Sequence, residues 1–149
     1  ILENLMLPSW RRYGRLLDLK RARRDAERIA GELRIVMGSL DDPVDTLSGG
    51  NAQKVVLGKW LLRAPQILLL DDPTKGVDVG AKGELYAMLG DLRKEGVAIL
   101  LYSSDDEELL GLCDRVLVMR EGRVRRELKS PELTRSALVK ASVGTEDGG

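Results

Sequence analysis

The sequence contains few of the residues on which covalent cross-links or membrane spans depend. Of its 149 residues one is a cysteine, Cys113, and none is a histidine or a phenylalanine. A single cysteine excludes a disulfide framework and fits a reducing compartment. No apolar run approaches the roughly 20 residues that a membrane-spanning helix needs, and no signal peptide is visible. We therefore expect membrane association only through a partner.

An excess of charge of either sign is also missing, because 24 basic and 24 acidic residues give a formal net charge of zero. With 43% hydrophobic and 32% charged residues, the composition is typical of one modest core beneath an ordinary charged surface. One domain, or part of one, is expected. The chain starts without a methionine and its first five residues resemble mid-domain sequence, which predicts a fragment.

A serine and two glycines stand immediately before a helical pattern. Ser48, Gly49 and Gly50 precede apolar residues at helical spacing over residues 55–62. The glycines allow close approach of a ligand, the serine can cap the helix, and the unpaired first-turn N–H groups carry the positive end of the helix dipole. The stretch predicts an anion-binding helix N-terminus, and the simpler alternative is a serine-capped helix after a glycine turn.

Two adjacent carboxylates follow a short apolar run. Residues 66–70 are too few for a helix, and the run ends at Asp71, Asp72 and Pro73, which predicts a buried parallel strand. In α/β sheets, ligands gather at the carboxyl ends of such strands. Two carboxylates at this position suit Mg²⁺ and a water that must lose a proton.

The remaining elements predict an α/β fold with parallel strands flanked by helices. Periodicity and turn residues give, in chain order, helix 79–92, buried strand 97–102, helix 107–111, strand 115–119, antiparallel strand 123–128, helix 131–143 and tail 144–149.

The segment before the glycines is basic. Residues 10–37 have helical propensity and predict two helices hinged near Leu19. Their arginines could contact nucleic acid or an acidic membrane surface, or they could form a solvated helix face. Interleaved acids and the absence of base-stacking aromatics favour the solvated face, so we expect no nucleic acid partner.

In order and spacing, residues 47–51, 68–74 and 76–78 resemble the signature loop, Walker B strand and D-loop of ABC-transporter ATPases. Asn51 and residues 75–82, 103–105 and 110–116 narrow the resemblance to the second ATPase half of the tandem proteins that energise bacterial sugar importers. The similarity covers nearly the whole chain.

This resemblance implies part of a P-loop NTPase core and an N-terminal helical subdomain. It implies three parts: residues 1–47 as helical subdomain and linker, 48–129 as core, and 130–149 as C-terminal helix and tail. The helical subdomain of the family faces the membrane permease subunits, which adds partner contact as a third interpretation of the arginines. Localisation on the inner face of the cell membrane, through those subunits, is implied as well.

The resemblance also implies roles for single residues. In this family two ATPase units pack head to tail, and each signature loop closes on ATP held by the other unit. The residues that it assigns to partner-held ATP or to the dimer interface are Ser48, Gly49, Gly50, Asn51, Gln53 and Asp78. For the chain's own site it implies that Asp71 helps to hold Mg²⁺ through water, that Asp72 orients the attacking water, and that Ser104 contacts the γ-phosphate.

The phosphate loop of such ATPases is missing from this sequence. No stretch fits G-x-x-x-x-G-K-[ST], and the nearest fragment, Gly58-Lys59-Trp60, lies inside a helical pattern. In the family this loop lies upstream of the first residue here, so we expect truncation. The chain alone is expected to be inactive.

Two further departures concern the catalytic residues. Most of these ATPases have glutamate where Asp72 stands, and the shorter side chain retracts the carboxylate by roughly 1.5 Å, enough to slow hydrolysis about a hundredfold. Ser104 stands where many have a histidine; it can donate a hydrogen bond but cannot carry positive charge. The resembled second halves usually have serine there.

Three functions remain open from sequence. The first is an ATP-binding and ATP-hydrolysing subunit that couples hydrolysis to sugar import. The second is a degenerate half that only lends its signature loop or fold to a partner ATPase. The third, an ABC-type ATPase that handles DNA, depends on the arginines alone.

Overall fold

The computed structural model describes residues 1–144, which group into two compact units. The first unit contains Ile1–Leu68 and Pro73–Leu100, and the second contains Leu69–Asp72 and residues 101–144. The division at residues 47 and 129 stays a prediction. Most of the predicted tail, residues 145–149, lies outside the described residues. No helix within residues 1–144 is both long and apolar enough to cross a membrane.

Helices dominate the first unit. They are α1 (Leu2–Met6), α2 (Leu19–Glu32), α3 (Gly49–Leu61) and α4 (Val79–Lys94), with short 3₁₀ helices at Leu7–Tyr13 and Val44–Thr46. The side chains of Asp18, Ser48 and Asp78 cap α2, α3 and α4 by accepting a hydrogen bond from the N–H three residues later. The two helices predicted over residues 10–37 are found only in part. An α-helix begins at Leu19 as expected, but it ends at Glu32, and the segment before it is a 3₁₀ helix that ends at Tyr13.

The core of this unit lies where α1, α2 and α3 meet. Leu5 is fully buried and packs with Ile29, Val55 and Leu62. A β-carbon on Gly58 would lie 3.0 Å from the Leu5 side chain, so glycine allows α3 to approach α1 closely. Apolar residues at helical spacing on α2 and α3 therefore form one shared interior.

The surface of α2 carries arginines with acidic partners. Arg23 pairs with Asp41 at 2.6 Å, and Arg28 pairs with Glu32 at 2.7 Å one helical turn away. Both pairs are exposed, and pairs of this kind contribute little to stability. These contacts are those of a solvated helix face.

The two predicted strands pair with each other. Strand β1 (Ile67–Asp71) and strand β2 (Ala98–Tyr102) form a two-stranded sheet. The N–H of Ala98 donates to the carbonyl of Gln66, near the start of β1, and the N–H of Asp72 donates to that of Tyr102, at the end of β2, each at 2.9 Å. Start pairs with start and end with end, which confirms the parallel prediction.

Full burial of these strands was predicted and is wrong. Burial alternates along β1, where Leu68 and Leu70 are buried but Leu69 is 69% exposed. A parallel strand is buried on both sides only when other elements cover both faces. In residues 1–144 one face of β1 has no such cover.

The second unit is built on an antiparallel ribbon. Strand β3 (Arg115–Arg120) pairs with β4 (Arg123–Lys129), and α5 (Asp106–Leu112) and α6 (Arg135–Val143) complete the unit. Glu121 and Gly122 both have positive φ, at 54° and 72°, as the tight turns of antiparallel hairpins require. The hairpin prediction is confirmed. Val116, Leu128 and Leu138 are buried between the ribbon and α6.

Two expectations for this part of the chain are wrong. Strand 115–119 was expected to join the parallel sheet, but among the described residues β3 pairs only with β4, which a two-residue turn brings directly beside it. The last helix was expected to start at Pro131. It starts at Arg135, because the Thr134 hydroxyl caps it by accepting a hydrogen bond from the N–H of Ala137 at 3.2 Å.

Replacing Leu5 by alanine should destabilise the first unit by about 2–5 kcal/mol, since it leaves a cavity among α1, α2 and α3. Leu16, which is 98% exposed, gives the matched control, and Leu16→Ala should change the free energy of unfolding by less than about 0.5 kcal/mol. Urea unfolding followed by tryptophan fluorescence measures both, because Trp10 and Trp60 lie in this unit. Equal effects of the two substitutions would contradict the described core.

Candidate functional site

The N-terminus of α3 presents three hydrogen-bond donors. The Ser48 Oγ accepts bonds from the backbone N–H of Asn51 at 3.4 Å and from its Nδ2 at 2.9 Å, which leaves the hydroxyl hydrogen free to donate outward. The N–H groups of Gly49 and Gly50 are in the first turn and have no acceptor within residues 1–144. Together with the helix dipole, this arrangement fits one oxygen face of a phosphate group.

The Asn51 side chain holds the Ser48 side chain in place. Its Oδ1 accepts a hydrogen bond from the N–H of Val36 at 2.8 Å, while its Nδ2 donates to Ser48. The side chain thus joins the serine to the segment after α2. Gln53 is half-buried, and its side chain makes no hydrogen bond with the described residues. Contact of either residue with a nucleotide stays a prediction.

The predicted D-loop segment packs against the same helix terminus. A β-carbon on Gly50 would lie 2.7 Å from the β-carbon of Ala81, so only glycine fits where α3 meets the first turn of α4. Asp78 is exposed and caps α4 by accepting a hydrogen bond from the N–H of Ala81 at 3.0 Å. The structure therefore gives Asp78 a local role. Its predicted place at a dimer interface stays a prediction.

Lys54 was missed in the sequence analysis and is the most buried charged residue beside these segments. It is 7% exposed, and its Nζ donates to Glu84 Oε2 at 2.6 Å and to the carbonyl of Arg34 at 3.0 Å. The hydrogen bond, followed by the charge of Lys54, lowers the pKa of Glu84. The ion pair is therefore complete above the usual glutamate pKa and is lost as the pH falls through the lowered value. The sequence could have indicated the burial of Lys54, because it lies on the same side of the helix as the buried Gly50 and Leu57.

In the second unit, Asp72 and Ser104 lie in contact, and the role that the sequence analysis gives each of them stays a prediction. Oδ1 of Asp72 accepts hydrogen bonds from the N–H of Ser104 at 2.7 Å and from its hydroxyl at 3.0 Å. Oδ2 makes no hydrogen bond with residues 1–144, so it can hold a water. Asp72 has a φ of 42°, a left-handed conformation that aspartate tolerates better than most residues.

The turn that carries Ser104 is held by a buried carboxylate. The Ser103 hydroxyl donates to Glu108 Oε2 at 2.5 Å and accepts a hydrogen bond from the N–H of Asp105 at 2.9 Å. Glu108 is 2% exposed. Ser104 is thus presented on a fixed turn, next to Asp72.

The described residues do not assemble a metal site. Asp71 is exposed at the end of β1, and its side chain makes no hydrogen bond with the described residues. No group of three or more histidine, cysteine, aspartate or glutamate side chains in residues 1–144 could hold a metal ion. One carboxylate does not make an octahedral Mg²⁺ site, so Asp71 as a metal residue stays a prediction.

The chain is similar to the ABC transporter family and to ATP-binding proteins of sugar importers. The model of the ABC transporter family matches residues 2–75. The ribose import ATP-binding protein RbsA 2 of Streptomyces coelicolor is 49% identical over 148 residues, covering 98% of this chain and 29% of that protein. A putative ribose/galactose/methyl galactoside import ATP-binding protein of Rhizobium meliloti is 48% identical over 138 residues, covering 91% of this chain and 28% of that protein. The chain thus spans less than a third of the length of these relatives.

Solved structures agree on the fold. A nucleotide-free ATP-binding cassette from an ABC transporter superimposes with a TM-score of 0.81 at 22% identity, over 97% of this chain and 60% of that chain. The bacterial ABC transporter cassette MJ0796, solved as a dimer, gives a TM-score of 0.73 at 25% identity, over 86% of this chain and 55% of that chain. The mixed α/β cassette fold expected from sequence is confirmed.

Proposed function

Because the chain belongs to the ABC transporter family of ATPases, we propose that it is ATP-binding sequence of a carbohydrate importer of the ribose class. The observation that carries this proposal is the N-terminus of α3, where Ser48, Gly49 and Gly50 present three donors to an outside anion. The names of the relatives support the carbohydrate class, since both are import ATP-binding proteins for sugars.

The proposed task of these donors is to close on the γ-phosphate of ATP held by a second ATPase unit. In phosphoryl transfer, negative charge spreads over the three oxygens of the transferred group, and donors fixed in advance stabilise that charge. Ser48 donates through its hydroxyl, and Gly49 and Gly50 donate through N–H groups that have no acceptor in residues 1–144. The partner unit would pair head to tail with this chain, and membrane permease subunits would complete the importer.

The proposed task of Asp72 is to orient the attacking water. Its Oδ1 is held by Ser104, which leaves Oδ2 for the water. The Ser104 hydroxyl donates to Asp72 in this structure, so contact with a γ-phosphate requires that hydroxyl to turn away from Asp72. Ser104 can remain bound through its N–H while it does so.

ATP is implied by the family, and the described residues fit its γ-phosphate at the α3 terminus only. Mg²⁺, which in such ATPases neutralises charge on the β- and γ-phosphates, is not provided with a complete set of ligands here. A second candidate function is therefore a half that does not hydrolyse ATP and only lends its signature loop to a partner. The short side chain of Asp72, where most of these ATPases have glutamate, favours it.

The purified chain should bind ATP weakly or not at all and should show no measurable hydrolysis, because Asp71 and Asp72 have no phosphate loop beside them in the sequence. Calorimetric titration with ATP, with and without Mg²⁺, measures this. Tight Mg²⁺-dependent binding by the monomer would contradict it.

Ser48→Arg should abolish the stimulation that this chain gives to ATP hydrolysis by a cassette carrying a phosphate loop, because the guanidinium fills the space of the γ-phosphate. Ser136→Arg is the matched control, since Ser136 is an exposed serine in the first turn of α6 and has no predicted contact with nucleotide. Steady-state hydrolysis of the mixture gives the result. Unchanged stimulation by the Ser48 variant would show that this loop is not used.

In a protein that joins this chain to a phosphate loop, Asp72→Glu should raise turnover, about tenfold or more, because the longer side chain reaches further toward the water. Asp72→Asn should lower turnover about a hundredfold, with ATP affinity nearly unchanged in both, because a base acts mainly on the transition state. Single-turnover rates measure this.

If Asp72 only anchors Ser104, the outcome differs. The asparagine variant keeps an oxygen acceptor and should hydrolyse ATP normally, while the glutamate variant should be neutral or slower. A slower glutamate variant with normal folding would end the assignment of Asp72 as the base.

A further inference from the structure

We propose that Lys54 is a positioning residue, which locks the donor-bearing terminus of α3 and the first turns of α4 into one rigid block. The block consists of residues 48–54 and 76–84, all in the first unit. Its consequence for hydrolysis depends on the proposed function, whereas the mechanical coupling does not.

The first support is the geometry of the lysine itself. Lys54 is one turn after the donors, and its ammonium lies between two acceptors from different elements, Glu84 on α4 and the carbonyl of Arg34 after α2. A buried ammonium is costly unless it is paired and hydrogen-bonded. The lysine therefore holds α3, α4 and the end of α2 at fixed separations.

The second support is independent of charge. Gly50 meets Ala81 so closely that a β-carbon would lie 2.7 Å away, and a β-carbon on Gly49 would lie 3.9 Å from the carbonyl of Gly76. Contact at the helix ends and an ion pair one turn further along fix both the distance and the rotation of α3 against α4. With two contacts on the same face of α3, the helix cannot rotate about either contact alone.

The third support is that the same attachment reaches the donor serine. The carbonyl of Arg34 accepts a hydrogen bond from Lys54, and two residues later the N–H of Val36 donates to Asn51 Oδ1. Asn51 in turn donates through its Nδ2 to the Ser48 Oγ. Residues 34–36 are thus held by both Lys54 and Asn51. Removal of Lys54 should loosen this segment as well as α4.

Amide hydrogen exchange on the purified chain tests the coupling directly. The reporters are hydrogen-bonded amides at the two termini: those of Asn51 and Ala52 on α3, and those of Ala81 and Lys82 on α4. Lys54→Met and Glu84→Gln should each raise exchange at both termini about tenfold. Lys54→Arg, which keeps the charge, should restore protection at both.

Two controls separate positioning from general stability. Arg28→Met breaks an exposed ion pair in the same unit and should leave all four reporters unchanged. Glu84 is 61% exposed, so Glu84→Gln leaves the core packed even if Lys54→Met unfolds the chain. Unchanged exchange in Glu84→Gln, or an equal rise over α2 and both termini, would overturn the proposal.

A kinetic experiment tests whether this coupling affects ATP hydrolysis by a second cassette that carries a phosphate loop. Glu84→Gln should lower the stimulated kcat about tenfold and leave KM for ATP unchanged, because the partner holds the ATP. If Ser48→Arg leaves stimulation intact, the proposed function fails while the exchange result stands. If Ser48→Arg abolishes stimulation but Glu84→Gln changes neither kcat nor exchange, the positioning role of Lys54 fails.

Discussion

A charged amine in a helical interior has to be surrounded by acceptors, and this requirement organises the first unit. Lys54 meets it with one carboxylate and one backbone carbonyl, drawn from two different elements. The free energy that a lone buried ammonium would cost is several kcal/mol, far more than an exposed ion pair contributes. Lys54 thereby ties α3 to α4 and to the segment that follows α2, close to the serine and glycines at the start of α3.

The donors at the start of α3 are ordinary helix-terminal groups that the surrounding residues hold in one orientation. First-turn N–H groups are unpaired in every helix, and water normally satisfies them. Here Ser48 and Asn51 fix the direction of the terminus, and the close contact of Gly50 with Ala81 excludes any side chain at that position. The proposed role of these donors, stabilising charge in a transition state, requires donors that are aligned in advance.

In the second unit, a few hydrogen bonds fix the positions of Asp72 and Ser104. Asp72 takes a left-handed backbone conformation at the end of β1 and turns its carboxylate toward Ser104. The serine turn is held in place by the buried Glu108 through Ser103. One carboxylate oxygen thus supports the turn and the other is left available, as the proposed role of Asp72 in orienting a water requires.

Sequence by itself determined the features that depend on neighbours within one turn of the chain. The caps at Asp18, Ser48 and Asp78 and the tight turn at Glu121 and Gly122 follow from contacts between residues at most a few positions apart. The turn then brings the two segments that flank it side by side. The order and spacing of the motifs likewise indicated the family without any coordinates.

Tertiary structure decided what depends on residues far apart in the chain. Lys54 lies 30 residues from Glu84, and Asp72 lies 32 residues from Ser104, so no local pattern marks either pair. Apolar runs indicated strands but not which faces would be covered, since cover comes from other elements, and β1 shows alternating burial as a result. Local hydrogen bonds form wherever the residue types allow, whereas distant partners are selected only when packing brings their backbones together.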